Sequence, residues 1–477
     1  MRRIALALLL PLASARAQDP AVLQARVEKE CAAISETLEA YLGPKFKAPV
    51  AVELKTKEAI GEFSRELAKT QVPKGLLEVA QKLAERLRQV PRGYDILEHE
   101  IKMVEANVAG LYDPDTDRFF VVEGTGSPGS PMFVVTAAHE LVHAYRDVDK
   151  DFWARTLKLI HTNPDEAQAI RFLVEGDATL LGNAIGVATL QKRDPAPFVE
   201  LGARNRAGAD AMIEAALAEP RLAEFPRALK ETLVAAYIEG MLFAAAIFRD
   251  GGKEALERAY DRPPRSTEQV LHPEKYLGAA PDEPVVFEGG DPLPALGEGW
   301  ALLLRAVVGE FDLRVLFTEA LGRDRARTAA AGWDGAVSWF CERDGSPSFL
   351  GLVTTWDEAT DAEEFARAWA DWAAARDGKK GGVGGEGEEL RVETEDGLVV
   401  VRRNGNDVLV ADGVPPDRVD AVFAAMAEVK RSGSAPGWTW LLFGGSLLFL
   451  LVLATRRQAR AAAAASRDAP HEVHAPA

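Results

Sequence analysis

The residues of this chain with the clearest chemistry are His139, Glu140 and His143, in the run His139-Glu140-Leu141-Val142-His143. The segment around them, Phe133–Tyr145, has helical character, and Ser130-Pro131 offers an N-cap followed by a first helical residue. Four residues turn a helix through about 400°, so the two imidazoles stand about 40° apart on neighbouring turns of one face. Such a pair suits a zinc ion. Glu140 is rotated by about 100° from His139, which puts its carboxylate beside the pair and outside it. There it can take a proton from water activated by the metal and pass it on. The competing reading is an amphipathic helix with two surface histidines. Phe133, Val134, Ala137, Leu141 and Val142 could seat the helix in a core, and this favours the metal.

A catalytic zinc takes three protein ligands and leaves one position open. Candidates for the third are few among seven histidines. His99 lies in a charged segment and His161 in a polar one. Asp149 stands where an HExxHxxGxxH/D pattern has its last ligand, but that pattern needs Gly at 146 and Arg146 is there. Glu175 is better placed, in a second helical segment able to pack antiparallel to the first. Gly176 would let the metal-bearing helix approach closely, and Asp177 could hold the Nδ1 proton of a ligand histidine. Asp177 as the ligand itself is the second choice. For the oxyanion that develops on a scissile carbonyl, Tyr237 and His272 are the candidate donors. The competing readings are a core aromatic for Tyr237 and a satisfied structural histidine for His272.

These side chains need elements to hold them. Periodicity and breakers predict helices over Ala21–Leu42, Lys57–Ala68, Gly75–Val90, Pro164 to about Leu190, Phe225–Phe248 and Leu302–Leu321. A strand is expected at Val50–Leu54, and a hairpin from Val108–Tyr112 and Phe119–Val122 about the Asp113–Asp117 turn. After Gly332 the pattern changes. Strands are expected at Ala336–Cys341, Phe349–Trp356, Leu398–Val401 and Val408–Ala411, with helices at Ala362–Ala375 and Arg418–Val429. Gly378–Gly387 is a glycine-rich insertion with no strand-to-helix context for binding phosphate.

HELVH followed by the Glu-Gly-Asp-Ala run at 175–178 resembles the gluzincin branch of the zinc metallopeptidases, and Val108–Pro114 with Phe119–Val122 resembles the strands that precede the metal helix there. The resemblance covers about residues 48–280. It implies a zincin-like α+β fold, mostly helical with a small mixed sheet. It also implies zinc as cofactor, a peptide or protein substrate, Glu140 as base, Glu175 as third ligand beside His139 and His143, and an edge strand that pairs with extended substrate. The interval from His143 to Glu175 is longer than in thermolysin-like enzymes.

The ends bear on location. Met1-Arg2-Arg3, the apolar run Ile4–Leu12 and Ala15-Arg16-Ala17 make residues 1–17 a secretory signal peptide. Residues 438–454 carry no charge, with Trp438 and Trp440 at one end and Arg456, Arg457 and Arg460 just beyond the other. That is the pattern of one transmembrane helix with a short cytoplasmic tail at 455–477. The expected organisation is therefore a leader, an N-terminal helix in 18–47, a metallopeptidase domain at 48–330, a smaller α+β domain at 331–431, the membrane helix and the tail. The site would face the periplasm or the cell exterior. With 56 Lys and Arg against 73 Asp and Glu the net charge is −17, a poor match for nucleic acid. Two cysteines, Cys31 and Cys341, exclude a disulfide scaffold, a cysteine-based zinc site and an iron–sulfur cluster. The rival functional reading is an envelope binding or structural module that keeps the fold and has no significant proteolysis. The oligomeric state is not legible.

Overall fold

The computed structural model describes residues 19–71, 75–114, 116–124, 126–148, 156, 159, 163–204, 208–376 and 388–432, and over these the chain is α+β. The expected leader at 1–17, membrane helix at 438–454 and tail lie outside the described residues. Among the described residues one helix, Arg227–Asp261, is long and apolar enough to cross a membrane, and most of its apolar window is buried inside the protein.

The first half is helical around a three-stranded sheet. It runs α1 (Pro20–Leu42), β1 (Ala51–Lys55), α2 (Lys57–Gln71), α3 (Leu76–Arg86), α4 (Ile96–Asn107), β2 (Gly110–Asp113), β3 (Arg118–Val122), α5 (Pro131–Asp147), α6 (Pro164–Gln191), α7 (Ala196–Ala203), α8 (Ala209–Leu217), α9 (Arg227–Asp261), α10 (Thr267–Leu271) and α11 (Pro273–Leu277). β3 is central, parallel to β1 and antiparallel to β2, which leaves β2 at the edge. Ser130 caps α5 by accepting the Phe133 N–H, and Asn163 caps α6 by accepting the Glu166 N–H, each followed by proline. Val27, Cys31, Ile34 and Leu38 form one stripe of α1 and bury against Phe133, Val134, Ala137 and Leu141 of α5. The N-terminal helix is thus part of the core that seats the metal-motif helix.

The second half runs β4 (Val286–Glu288), α12 (Leu293–Leu296), β5 (Ala301–Ala306), α13 (Glu310–Leu321), α14 (Arg323–Ala330), β6 (Trp333–Glu342), β7 (Phe349–Trp356), α15 (Ala359–Ala375), β8 (Glu389–Thr394), β9 (Gly397–Asn404), β10 (Asp407–Val414), α16 (Val419–Met426) and β11 (Lys430–Ser432). Six strands make an antiparallel sheet in the order β5-β6-β7-β10-β9-β8, and β11 pairs with β4. Leu302–Leu321, expected to be one helix, is strand β5 followed by α13, because Ala301–Ala306 pairs with β6 and Gly309 then starts the helix. The sheet therefore begins before residue 331, on the far side of the expected domain boundary. One apolar core runs through both halves. Leu83 and Leu87, together with Ile170 and Val174 of α6, cluster with Leu350, Trp356, Phe365 and Trp369 of the sheet and α15. Cys31 and Cys341 are both buried free thiols.

Candidate metal centre

α5 presents His139 and His143 with their Nε2 atoms 3.0 Å apart, both side chains buried. Glu175 of α6 brings Oε2 to 3.3 Å from His139 Nε2 and 3.8 Å from His143 Nε2. Ligands held tetrahedrally at zinc distances stand about 3.3 Å from one another, and the three spacings bracket that value. Two imidazole nitrogens and a carboxylate oxygen are also a donor set that zinc accepts. The residues fit the ion.

Glycines decide how the two helices meet. Gly182 and Gly186 follow Glu175 by seven and eleven residues and share its face of α6. A Cβ at Gly182 would fall 2.8 Å from the backbone N and Cα of His139, and one at Gly186 would fall 3.0 Å from Val135 Cα. Gly176, expected to serve this approach, serves another. It lies about 100° round the helix and faces α9, where its Cβ would meet the Gly240 carbonyl at 2.0 Å, and Gly240 in turn lies against the Phe172 carbonyl. This second crossing lays α9 on α6 and sets the half-buried Tyr237 ring 5.8 Å from the His139 ring, with its hydroxyl towards Glu175.

Glu140 is half-buried, and its Oε2 accepts the Tyr112 backbone N–H from edge strand β2 at 2.8 Å. Burial pushes its carboxyl up to about 7, against the pull of His139 and the Tyr112 N–H. Burial also opposes ionised Glu175, yet the His139 hydrogen bond and the charges of His143, His139 and Arg171 hold it below the usual carboxylate range. Burial pulls His143 down to about 4. His139 is burdened in the same way, but the Glu175 hydrogen bond and charge carry it above its ordinary value. Burial first, then the charges of Glu175 and Glu140, keep Tyr237 protonated far above neutrality.

Several sequence candidates fall elsewhere. Asp177 is fully buried but turned from the imidazole nitrogens: its Oδ2 accepts Arg146 Nε–H at 2.7 Å and the Tyr260 hydroxyl at 2.9 Å. Arg146 also pairs with Glu257, so the residue standing where the HExxHxxGxxH/D pattern has glycine ties α5 to α6 and α9. His272 does not join the centre. Its Nε2 is 3.0 Å from Glu310 Oε1, and Glu310 is electrostatically coupled to Asp165 at the start of α6. Asp165 lies ten residues before Glu175, about 15 Å along the helix. His99 stacks on Tyr94 with centroids 3.9 Å apart. Asp149 and His161 lie outside the described residues. A second acidic group, Glu268, Asp282 and Asp357, surrounds the Lys275 ammonium at 2.6, 2.9 and 2.6 Å, which occupies the place a cation would take.

Sequence reasoning missed Arg171, which is 1% exposed and one helical turn before Glu175. Its electrostatic partners are Glu175, Tyr237 and the buried Glu100 of α4. The four-residue spacing to Glu175 was the signal.

Residues 303–423 match the model of a family described as a domain of unknown function, DUF8575. The match runs from β5 into α16 and leaves His139, Glu140, His143 and Glu175 outside it. No curated protein and no solved structure matches the chain.

Proposed function

We propose that this protein is a zinc-dependent metallopeptidase of the gluzincin type that cleaves peptide bonds outside the cytoplasm, tethered to the membrane by residues 438–454. The observation that carries the reading is the meeting of His139, His143 and Glu175, at 3.0 to 3.8 Å, beside a carboxylate and a phenol that are not needed as ligands. A purely structural zinc site has no use for Glu140 and Tyr237 at its margin.

Zinc, when bound by these three residues, supplies a Lewis acid that polarises a carbonyl and makes water more acidic. Glu140 is the base. Its carboxylate takes the proton from the attacking water and delivers it to the leaving amine, and the Tyr112 N–H fixes the carboxylate's orientation. A carboxyl raised towards neutrality is suited to both halves of that transfer. Tyr237, protonated at every working pH, donates to the oxyanion in the role offered to both Tyr237 and His272. β2, an edge strand lying against Glu140, is the place for an extended peptide to pair.

Metal content of the full-length protein, purified in detergent, tests the centre. One zinc per chain is expected, lost in His143→Ala and in Glu175→Ala. Retention in Glu175→Ala would move the third ligand elsewhere, and a wild type without metal after zinc is supplied would end the enzyme reading. Glu140→Gln then separates enzyme from binding module: zinc is expected to stay while cleavage of a denatured protein substrate disappears. A cellular phenotype that survives Glu140→Gln would favour the module.

A further inference from the structure

Helices that meet at glycines come close, but backbone contact carries no directional bond to fix how one is displaced along the other. Gly182 and Gly186 bring α6 against α5 in this way. The candidate ligands on those helices stand 3.0 to 3.8 Å apart, and a metal site needs such spacings held to a fraction of an ångström. Arg146 bonds across the same two helices. It follows His143 by three residues, and Asp177 follows Glu175 by two, so the bond from Arg146 Nε–H to Asp177 Oδ2, 2.7 Å long, joins the helices within one turn of a ligand on each. Arg146 is 4% exposed and Asp177 is fully buried. A charge-assisted bond in such surroundings is strong and directional.

The guanidinium is itself braced. A second nitrogen pairs with Glu257, and the Tyr260 ring centroid lies 4.8 Å from the guanidinium carbon. The Tyr260 hydroxyl donates to the same Asp177 oxygen at 2.9 Å. Glu257 and Tyr260 belong to the last turns of α9, beyond a break at Gly251 and Gly252 that redirects the helix. Gly252 has φ 67° and ψ −160°, a backbone conformation open to glycine. Those turns are tied to the chain around the end of α1: Lys253 Nζ donates to the Tyr41 carbonyl at 2.7 Å, and Lys45 Nζ lies 3.6 Å from Glu257.

We propose that Arg146 is a positioning residue for the metal centre: its bond to Asp177, braced by Glu257 and Tyr260, fixes α5 on α6 in the register that brings Glu175 to His139 and His143. This rests on the metal reading above. Neither Arg146 nor Asp177 is a ligand, and their bond acts on the centre only by placing the two helices.

Arg146→Met alone would leave Asp177 buried without its cation and is expected to misfold. The informative variant joins Arg146→Met to Asp177→Asn, which removes both charges and keeps an oxygen to accept from Tyr260. It is compared, in the full-length protein, with Asp412→Asn, a change in the buried ion pair between β10 and α3 that touches neither α5 nor α6. Zinc affinity is measured by chelator competition well below the melting temperatures, and coordination by the visible spectrum of the cobalt-loaded protein. The double variant is expected to bind zinc about 10- to 100-fold more weakly than wild type and to give a displaced cobalt spectrum. Asp412→Asn should melt earlier and yet keep the wild-type affinity and spectrum. Zinc affinity within about threefold of wild type in the folded double variant overturns the proposal. An equal loss of affinity in Asp412→Asn also overturns it, since the effect would then be one of stability alone. If the double variant does not fold, Asp177→Asn alone decides by the same threshold. A wild type that binds no zinc removes the metal reading, and this proposal with it; a wild type that binds zinc no better than the variants removes this proposal alone.

Discussion

At the scale of single residues the proposed function divides the work of the centre. In the proposed mechanism His139, His143 and Glu175 hold the metal, Glu140 moves a proton and Tyr237 donates. Replacing Tyr237 with Phe removes one hydroxyl and leaves the ligands intact. We expect zinc content to be unchanged and kcat to fall by about 10²- to 10³-fold, the usual cost of one oxyanion donor. His272→Ala is the contrast. Its ring bonds Glu310 beside the start of α6, about three turns from Glu175, so turnover per zinc should remain within severalfold of wild type while the melting temperature drops. Equal losses of turnover in both variants would contradict this division of roles. His272 stood level with Tyr237 in the sequence because residue type and a nearby proline-rich loop say nothing about which end of a helix a side chain reaches.

At the scale of elements, α6 is the pivot, offering one face to α5 and another to α9. Gly182 allows the first approach. A methyl group there would press on the His139 backbone, which cannot move aside as a side chain could. Gly182→Ala should therefore cost about 1–3 kcal/mol and weaken zinc binding as α5 and α6 move apart. Gly208, with negative φ and open space where an added methyl would point, is the control, and its change to Ala should be close to neutral in both denaturant melts and zinc titration. Equal effects at the two sites would show that the close crossing does not set the metal geometry. The spacing of Glu175, Gly182 and Gly186 was open to reading in the sequence. Gly176 is adjacent to Glu175 in the chain, but a rotation of about 100° sends it to a different neighbour.

At the scale of the whole molecule, the six-stranded sheet shares an apolar core with α6 and a buried ion network with α3. Asp412 of β10 is fully buried between Arg86 of α3, with which it makes a short ion pair, and Arg376 at 2.6 Å. Arg86 also bonds Asp396 at 2.9 Å. Burial works against ionised Asp412, but the two guanidiniums pull its pKa down to about 2. A carboxylate so depressed adds stability that is fully present above its unfolded value of 3.8 and is lost as pH falls towards about 2. Asp412→Asn, which leaves two buried arginines short of charge, should cost about 3–5 kcal/mol at neutral pH. The gap to wild type should close as pH falls from about 4 towards about 2. Calorimetry of the wild type should show one transition for both halves, raised by zinc. Two transitions, with zinc moving only one of them, would mean that the sheet is an independent appendage.

The sequence by itself determined what local periodicity controls. Two histidines four residues apart on a capped helix share a face whatever surrounds them, and so His139, Glu140 and His143 were legible together. The β2–β3 hairpin and most strands of the large sheet were legible from alternation and turn residues. Tertiary structure decided what depends on one element reaching another. It set Glu175, and not Asp177, beside the two histidines, giving Asp177 to Arg146 and Tyr260, and it brought Tyr237 to the imidazoles while leaving His272 at Glu310. It also extended the sheet back to Ala301, since an edge strand is defined by its partner and Leu302–Leu304 shows no period of its own. Bonds and rotations along a helix are set by near neighbours in the chain. Crossings between helices are set by where a missing side chain lets two backbones touch, and that is known only once both are in place.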